Sequence, residues 1–158
     1  MNTTITADSG HSKALPELVA KLLTARQDSL VLYQKLAAFK SRAPIGPVQQ
    51  HLLQRFRQSL VDYLALGPFE VFRALEEQPA DSPYCGVRDL ARQLYARIAR
   101  TTQAALAFHD RYDGALSPTG LAALHEDLSR LGEHLATRIE LEDRIAAAVR
   151  QRAPRLAA

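Results

Sequence analysis

At 158 residues, with 47% hydrophobic and 23% charged side chains, the chain has the balance of one ordinary globular domain. It is long enough to bury about 70% of the surface its unfolded form exposes, with no need of metal or disulfides. A net charge of +3, from 20 basic and 17 acidic residues, with a pI near 9.2, is weak evidence for nucleic-acid binding. The single cysteine, Cys85, has no partner within the chain, the opening residues lack a secretory pattern, and no apolar run reaches the roughly 18 residues of a membrane helix. A soluble protein of the reducing cytoplasm is expected.

Breakers in the stretches 44–47, 78–86 and 114–120 leave four long segments, read as helices over about 15–40, 48–77, 87–112 and 119–150. Ser12 offers a start signal for the first. In that helix Leu15, Val19, Leu22, Ser29, Leu30, Tyr33 and Ala37 form a stripe, with Arg26 near its centre. In the second, Leu53, Phe56, Leu60, Leu64, Gly67, Val71 and Leu75 supply a core face. Asp62, Leu66 and Phe69 project to the opposite side, with Gln58 and Arg73 beside them. Pro68 removes a backbone donor there and is expected to kink the helix.

The third helix presents Val87, Ala91, Leu94, Ile98, Ala105, Phe108 and Tyr112. The fourth carries the clearest seam, Leu121, Leu124, Leu128, Leu131, Leu135, Arg138, Glu142, Ile145 and Val149, at alternating three- and four-residue spacing. Short connections make neighbouring helices antiparallel. The fold class is therefore an all-α, up-and-down bundle of about four long helices. It forms a single domain over 1–158, with 1–12 and 153–158 as flexible tails.

Two charges on the last seam and Arg26 on the first helix invite a catalytic reading, because buried charge is costly and often functional. No nucleophile with a base accompanies them, so Arg26, Arg138 and Glu142 are expected to form a structural ion-pair network. Of the histidines (His11, His51, His109, His125, His134), only His109 has a carboxylate, Asp113, at four-residue spacing. One such pair is too few for a bundle metal site, so no metal and no cofactor are expected. Arg88, Arg92, Arg97, Arg100 and Arg111 are spread around the third helix between Asp89 and Asp110, and read as a solvated face rather than a phosphate track. On spacing alone, Leu66 and Phe69 are more economically covered by a neighbouring helix than left as a docking surface, although exposed large apolar groups do mark interfaces.

One block goes further. The run Gln58-Ser59-Leu60-Val61-Asp62-Tyr63-Leu64-Ala65-Leu66-Gly67-Pro68-Phe69-Glu70-Val71-Phe72 resembles the most distinctive block of the Rsd/AlgQ family, the regulators of sigma D. Leu18, Val19, Arg26, Leu30, Tyr33, Leu36 and Lys40 resemble that family's first helix. Leu128, Ser129, Leu131, Gly132, Glu133, Leu135, Arg138, Leu141, Glu142 and Asp143 resemble its last. Two positions depart: Pro68 stands where the family usually has His, and Leu22 where several members have Trp.

The resemblance implies an all-helical bundle without catalysis, acting as an anti-sigma regulator. It would bind the C-terminal domain of the primary sigma factor and keep it from core RNA polymerase. It also implies that Asp62, flanked by Leu66 and Phe69, lies in the sigma-contacting region, with Gln58 and Tyr63 of the same block in the partner-binding set. A hemerythrin-like metal- or oxygen-binding bundle and a nucleic-acid-binding regulator are the competing classes.

Overall fold

The computed structural model describes the backbone of residues 3–39, 46–114 and 118–153, with side chains from residue 14 onward. Helix α1 (Thr3–Ala37) is followed by α2 (Pro47–Leu66), which runs directly into a π-helical turn, Gly67–Phe72, and a last α turn, α3 (Arg73–Glu76). Then come α4 (Cys85–Arg111), the single turn α5 (Pro118–Leu121) and α6 (Leu124–Arg152). No strand occurs among the described residues, and none of their helices is long and apolar enough to cross a membrane. Lys40, Pro44, residues 154–158 and the side chains of His11 and Ser12 lie outside the described set.

Cross-helix contacts give the topology. Tyr33 meets Leu128 while Arg26 meets Glu142; Ser29 meets Ser59 while Lys21 meets Glu70. Thr102 meets Arg138 while Tyr112 meets Asp127; Phe56 meets Phe108 while Phe72 meets Tyr95. In every pair one number rises as the other falls, so these four pairings of the long helices are antiparallel, in keeping with short connections.

All nine seam positions read for the fourth segment are buried, Leu121 on α5 and the other eight on α6, as are the seven read for the third helix and the seven for the second. The α1 stripe needs correction past Ser29: Leu30, Tyr33 and Ala37 are half-buried, and Leu32 and Leu36 take the core positions. Helix α1 packs against both α2 and α6, so a face wider than a single seam is covered. Its start also differs. The helix begins at Thr3, so Ser12 lies inside it and does not cap it.

Pro68 does not simply bend α2. It sits at the second position of the π-turn, where a wider spacing of backbone bonds accommodates the missing N–H. The loop that follows is closed by side chains: Ser82 Oγ donates to Gln78 Oε1 at 2.6 Å, and Gln78 Nε2 to the Ala74 carbonyl at 3.1 Å. Tyr84 fills the space beneath, and α4 starts at Cys85, inside the expected divider. After α4, Gly114 adopts a φ of 80°, a left-handed conformation that glycine takes without a Cβ clash.

Candidate docking face and the buried charge cluster beneath it

The outer side of α2 and the π-turn carries the residues singled out by spacing. Gln58 and Asp62 are exposed, Leu66 is half-buried against the core, and Phe69 leaves 72% of its surface open. Among the described residues no neighbouring helix covers that phenyl ring. Val71 points inward at 2% exposure while Phe69 faces outward, as the helical projection expects. Lys21 of α1 holds Glu70 at 3.0 Å and ties the turn to its neighbour.

Beside the turn, Pro68, Phe72, Arg73, Glu76, Arg92 and Tyr95 line an open groove of about 320 Å³. Tyr95 meets Phe72 edge-on at 5.7 Å, and Arg92 grips both Glu76 oxygens at 2.7 Å.

Tyr63 is a correction. The resemblance grouped it with the partner-binding residues, but it is 1% exposed and its hydroxyl donates to Glu142 Oε1. The signal was present in the sequence, since Phe56, Leu60, Tyr63 and Gly67 keep core spacing.

That hydrogen bond leads into the expected ion-pair network. Arg138, with no exposed surface, donates from Nε to Glu142 Oε2 at 3.1 Å. Its Nη1 donates to Thr102 Oγ1 at 2.7 Å and Thr101 Oγ1 at 3.2 Å, and its guanidinium lies 5.2 Å from the Tyr63 ring centroid. Arg26 reaches Glu142 at 3.5 Å and the more exposed Asp143 at 2.8 Å. Side chains from α1, α2 and α6 thus converge on one carboxylate, and α4 joins the cluster through Thr101 and Thr102 on Arg138.

Burial pushes the Glu142 carboxyl above its usual range, against the opposing pull of Arg138, the Tyr63 hydroxyl and Arg26. Burial, with the Glu142 charge beside it, pushes the Tyr63 hydroxyl well above the ordinary tyrosine value. The cavity that Glu142 lines, between Val19 and Ile145, measures about 10 Å³. The cluster's parts hold charge in the core and offer no nucleophile.

A second buried arginine gave no sign in the apolar pattern. Arg57, 5% exposed, donates from Nε to the His109 carbonyl at 2.8 Å and pairs with Asp113 at 3.1 Å. The His109–Asp113 spacing, which looked like half a metal site, is the partner set of this guanidinium at the end of α4, where cations are favoured. His109 is half-buried, whereas His51, His125 and His134 are exposed and dispersed. Among the described residues no group of three potential metal-ligating side chains comes together. On α4, Arg92 binds Glu76, Arg88 donates to the Gln78 carbonyl at 2.9 Å, and Arg111 pairs with Asp127 at 3.1 Å.

Residues 3–150 match the family described as regulator of RNA polymerase sigma(70) subunit, Rsd/AlgQ. The chain belongs to the Rsd/AlgQ family. It is similar to the regulator of sigma D of Yersinia enterocolitica (serotype O:8 / biotype 1B), 32% identical over 133 residues, covering 82% of this chain and 78% of that one. The regulator of sigma D of Enterobacter sp. (strain 638) is 31% identical over 134 residues, covering 83% and 79%. That of Sodalis glossinidius is 30% identical over 131 residues, covering 82% and 85%. No solved structure was found to match. As a member of this family the protein is a regulator acting on sigma.

Proposed function

We propose that the chain is an anti-sigma factor that captures the C-terminal domain of the primary sigma factor on the face formed by Gln58, Asp62, Leu66 and Phe69. Held there, sigma cannot dock on core RNA polymerase, and more core is left to alternative sigma factors. The observation that carries this reading is Phe69: a phenyl ring left 72% open beside an exposed carboxylate, within the block that resembles the family's sigma-contacting region. Large aromatic side chains supply the desolvated area that dominates binding energy. Asp62 offers a local negative charge to a basic DNA-reading domain, which favours encounter and register.

The activity is stoichiometric capture in the bacterial cytoplasm. No bond is made or broken, and no cofactor takes part. Tyr63 contributes from inside, by fixing the helix that presents Asp62.

The test is competition. Purified chain, mixed with primary sigma before core polymerase is added, is expected to form a complex with sigma on size exclusion and to reduce holoenzyme in proportion to its concentration. Undiminished holoenzyme at saturating chain would overturn sequestration.

A further inference from the structure

Phe69 and Tyr95 are the two most exposed aromatic side chains among the described residues, at 72% and 54%, and one groove joins them. Pro68, next to Phe69 in the chain, belongs to its π-turn side, and Tyr95 to its α4 side. Phe72 lies between, with the Tyr95 ring edge-on to it at 5.7 Å. Phe72 is itself packed against the core, so the aromatic floor is set before any partner arrives.

The charges in the lining are matched within the chain. Arg92 holds both oxygens of Glu76 at 2.7 Å, and Arg73 holds Glu77 at 3.1 Å. An incoming group therefore meets no unpaired charge there, and what the groove offers is apolar surface. It is also open, which suits side chains presented by a folded partner better than an enclosed small molecule.

Area says which partner. A stable, specific interface takes about 800 Å² from each side, drawn from roughly 20 residues or more. One phenyl ring, one half-buried leucine and the polar side chains of Gln58 and Asp62 fall well short of that. A domain captured on them must also rest on neighbouring surface. Towards α1 the face is edged by the exposed ion pair of Lys21 and Glu70. Towards α4 it continues past Pro68 into the groove and reaches a second open ring.

We propose that the sigma-docking face continues past Phe69 into this groove, where Tyr95 is a second aromatic anchor that receives apolar side chains of the same sigma domain. This rests on the docking reading above and extends it from one helix to two, α2 with its π-turn and α4. Asp62 supplies charge and salt dependence, whereas the groove supplies desolvated area with little of either.

The test uses the whole chain and the isolated sigma C-terminal domain. Tyr95→Ala is expected to weaken binding about tenfold and to leave the salt dependence of affinity at the parent's value, unlike Asp62→Ala. Tyr95 is more than half exposed, so the variant should keep its helical circular dichroism. The chain has no tryptophan, so Tyr95→Trp puts a single indole in the groove. Its emission, after subtraction of the parent's titration, should move to shorter wavelength as the sigma domain is added. His134→Trp, at an exposed position of α6, is the control and should not shift.

Parent-like affinity for Tyr95→Ala, or unmoved Tyr95→Trp emission at saturating sigma domain, would overturn the inference and leave the face of Asp62 and Phe69 standing. A shift on concentrating the Tyr95→Trp chain alone would assign the groove to a second copy and overturn it as well. Failure of the parent to bind the sigma domain would remove the docking reading and this inference with it.

Discussion

Tyr63 and Glu142, separated by 79 residues in the chain, are joined by a hydrogen bond across the bundle interior. The residue directly after exposed Asp62 is thereby tied to the carboxylate that also receives Arg138 and Arg26. The proposed binding helix and the buried charges are one mechanical unit.

The first consequence is for stability. Glu142→Ala leaves Arg138 buried without its counter-charge and strips the partner from Tyr63, so it should cost about 3 to 5 kcal/mol. Chemical denaturation of the variant against the parent measures this. A midpoint like the parent's would contradict the network.

A second consequence appears in alkali. Tyr63 has a folded-state pKa raised by burial and the nearby Glu142 charge, whereas the unfolded tyrosine ionises near ~10. Below that pH its contribution is fully present. Above it the unfolded state loses a proton that the folded state keeps, so stability falls as pH rises, by about 1.4 kcal/mol per pH unit for this group. Urea midpoints between pH 9 and 11 (about one unit either side of the ordinary tyrosine value) should fall less steeply for Tyr63→Phe than for the parent. Identical slopes would show that Tyr63 titrates normally.

The packing of Tyr33 on Gly132 between α1 and α6 gives a third. The Tyr33 hydroxyl donates to the Leu128 carbonyl at 2.7 Å, and it occupies the place a Cβ on Gly132 would need. Gly132→Ala should therefore destabilise by about 1 to 3 kcal/mol through overpacking, despite alanine's higher helix propensity. Adding Tyr33→Phe should recover part of the loss. A stabilised single variant would refute this packing.

Arg57 supplies a contrast between buried and exposed partners. Arg57→Met leaves the end of α4 without a buried donor and should cost about 1 to 3 kcal/mol. Asp113, whose side chain is 75% exposed, should matter little, with Asp113→Asn changing stability by less than about 0.5 kcal/mol. Thermal melts of the two variants distinguish these effects.

Much of this was legible in the sequence where one seam faces one core. The α6 repeat placed Arg138 and Glu142 inside because no other face of that helix is apolar. Legibility failed where two neighbours share a helix, so α1 past Ser29 was read one position off. Arg57 escaped because polar partners, the His109 carbonyl and Asp113, reveal themselves only once α2 and α4 are adjacent. The π-turn was out of reach too: a proline announces a disturbed backbone, but the surrounding packing decides whether it kinks the helix or widens a turn. At the candidate face, Asp62, Leu66 and Phe69 were found by projection, and Tyr63 was assigned outward against its own core spacing.

The central claim is that this face binds sigma, and calorimetric titration with the isolated C-terminal domain of the primary sigma factor tests it most directly. Asp62→Ala should weaken binding with a reduced salt dependence, and Phe69→Ala should mainly speed dissociation, each by about 1 to 4 kcal/mol. Both should leave helical circular dichroism and melting temperature near the parent's, since both side chains lie outside the core. The account predicts little or no binding for the double variant at concentrations that saturate the parent. Parent-like affinity in that folded double variant would place the interface elsewhere and contradict the account.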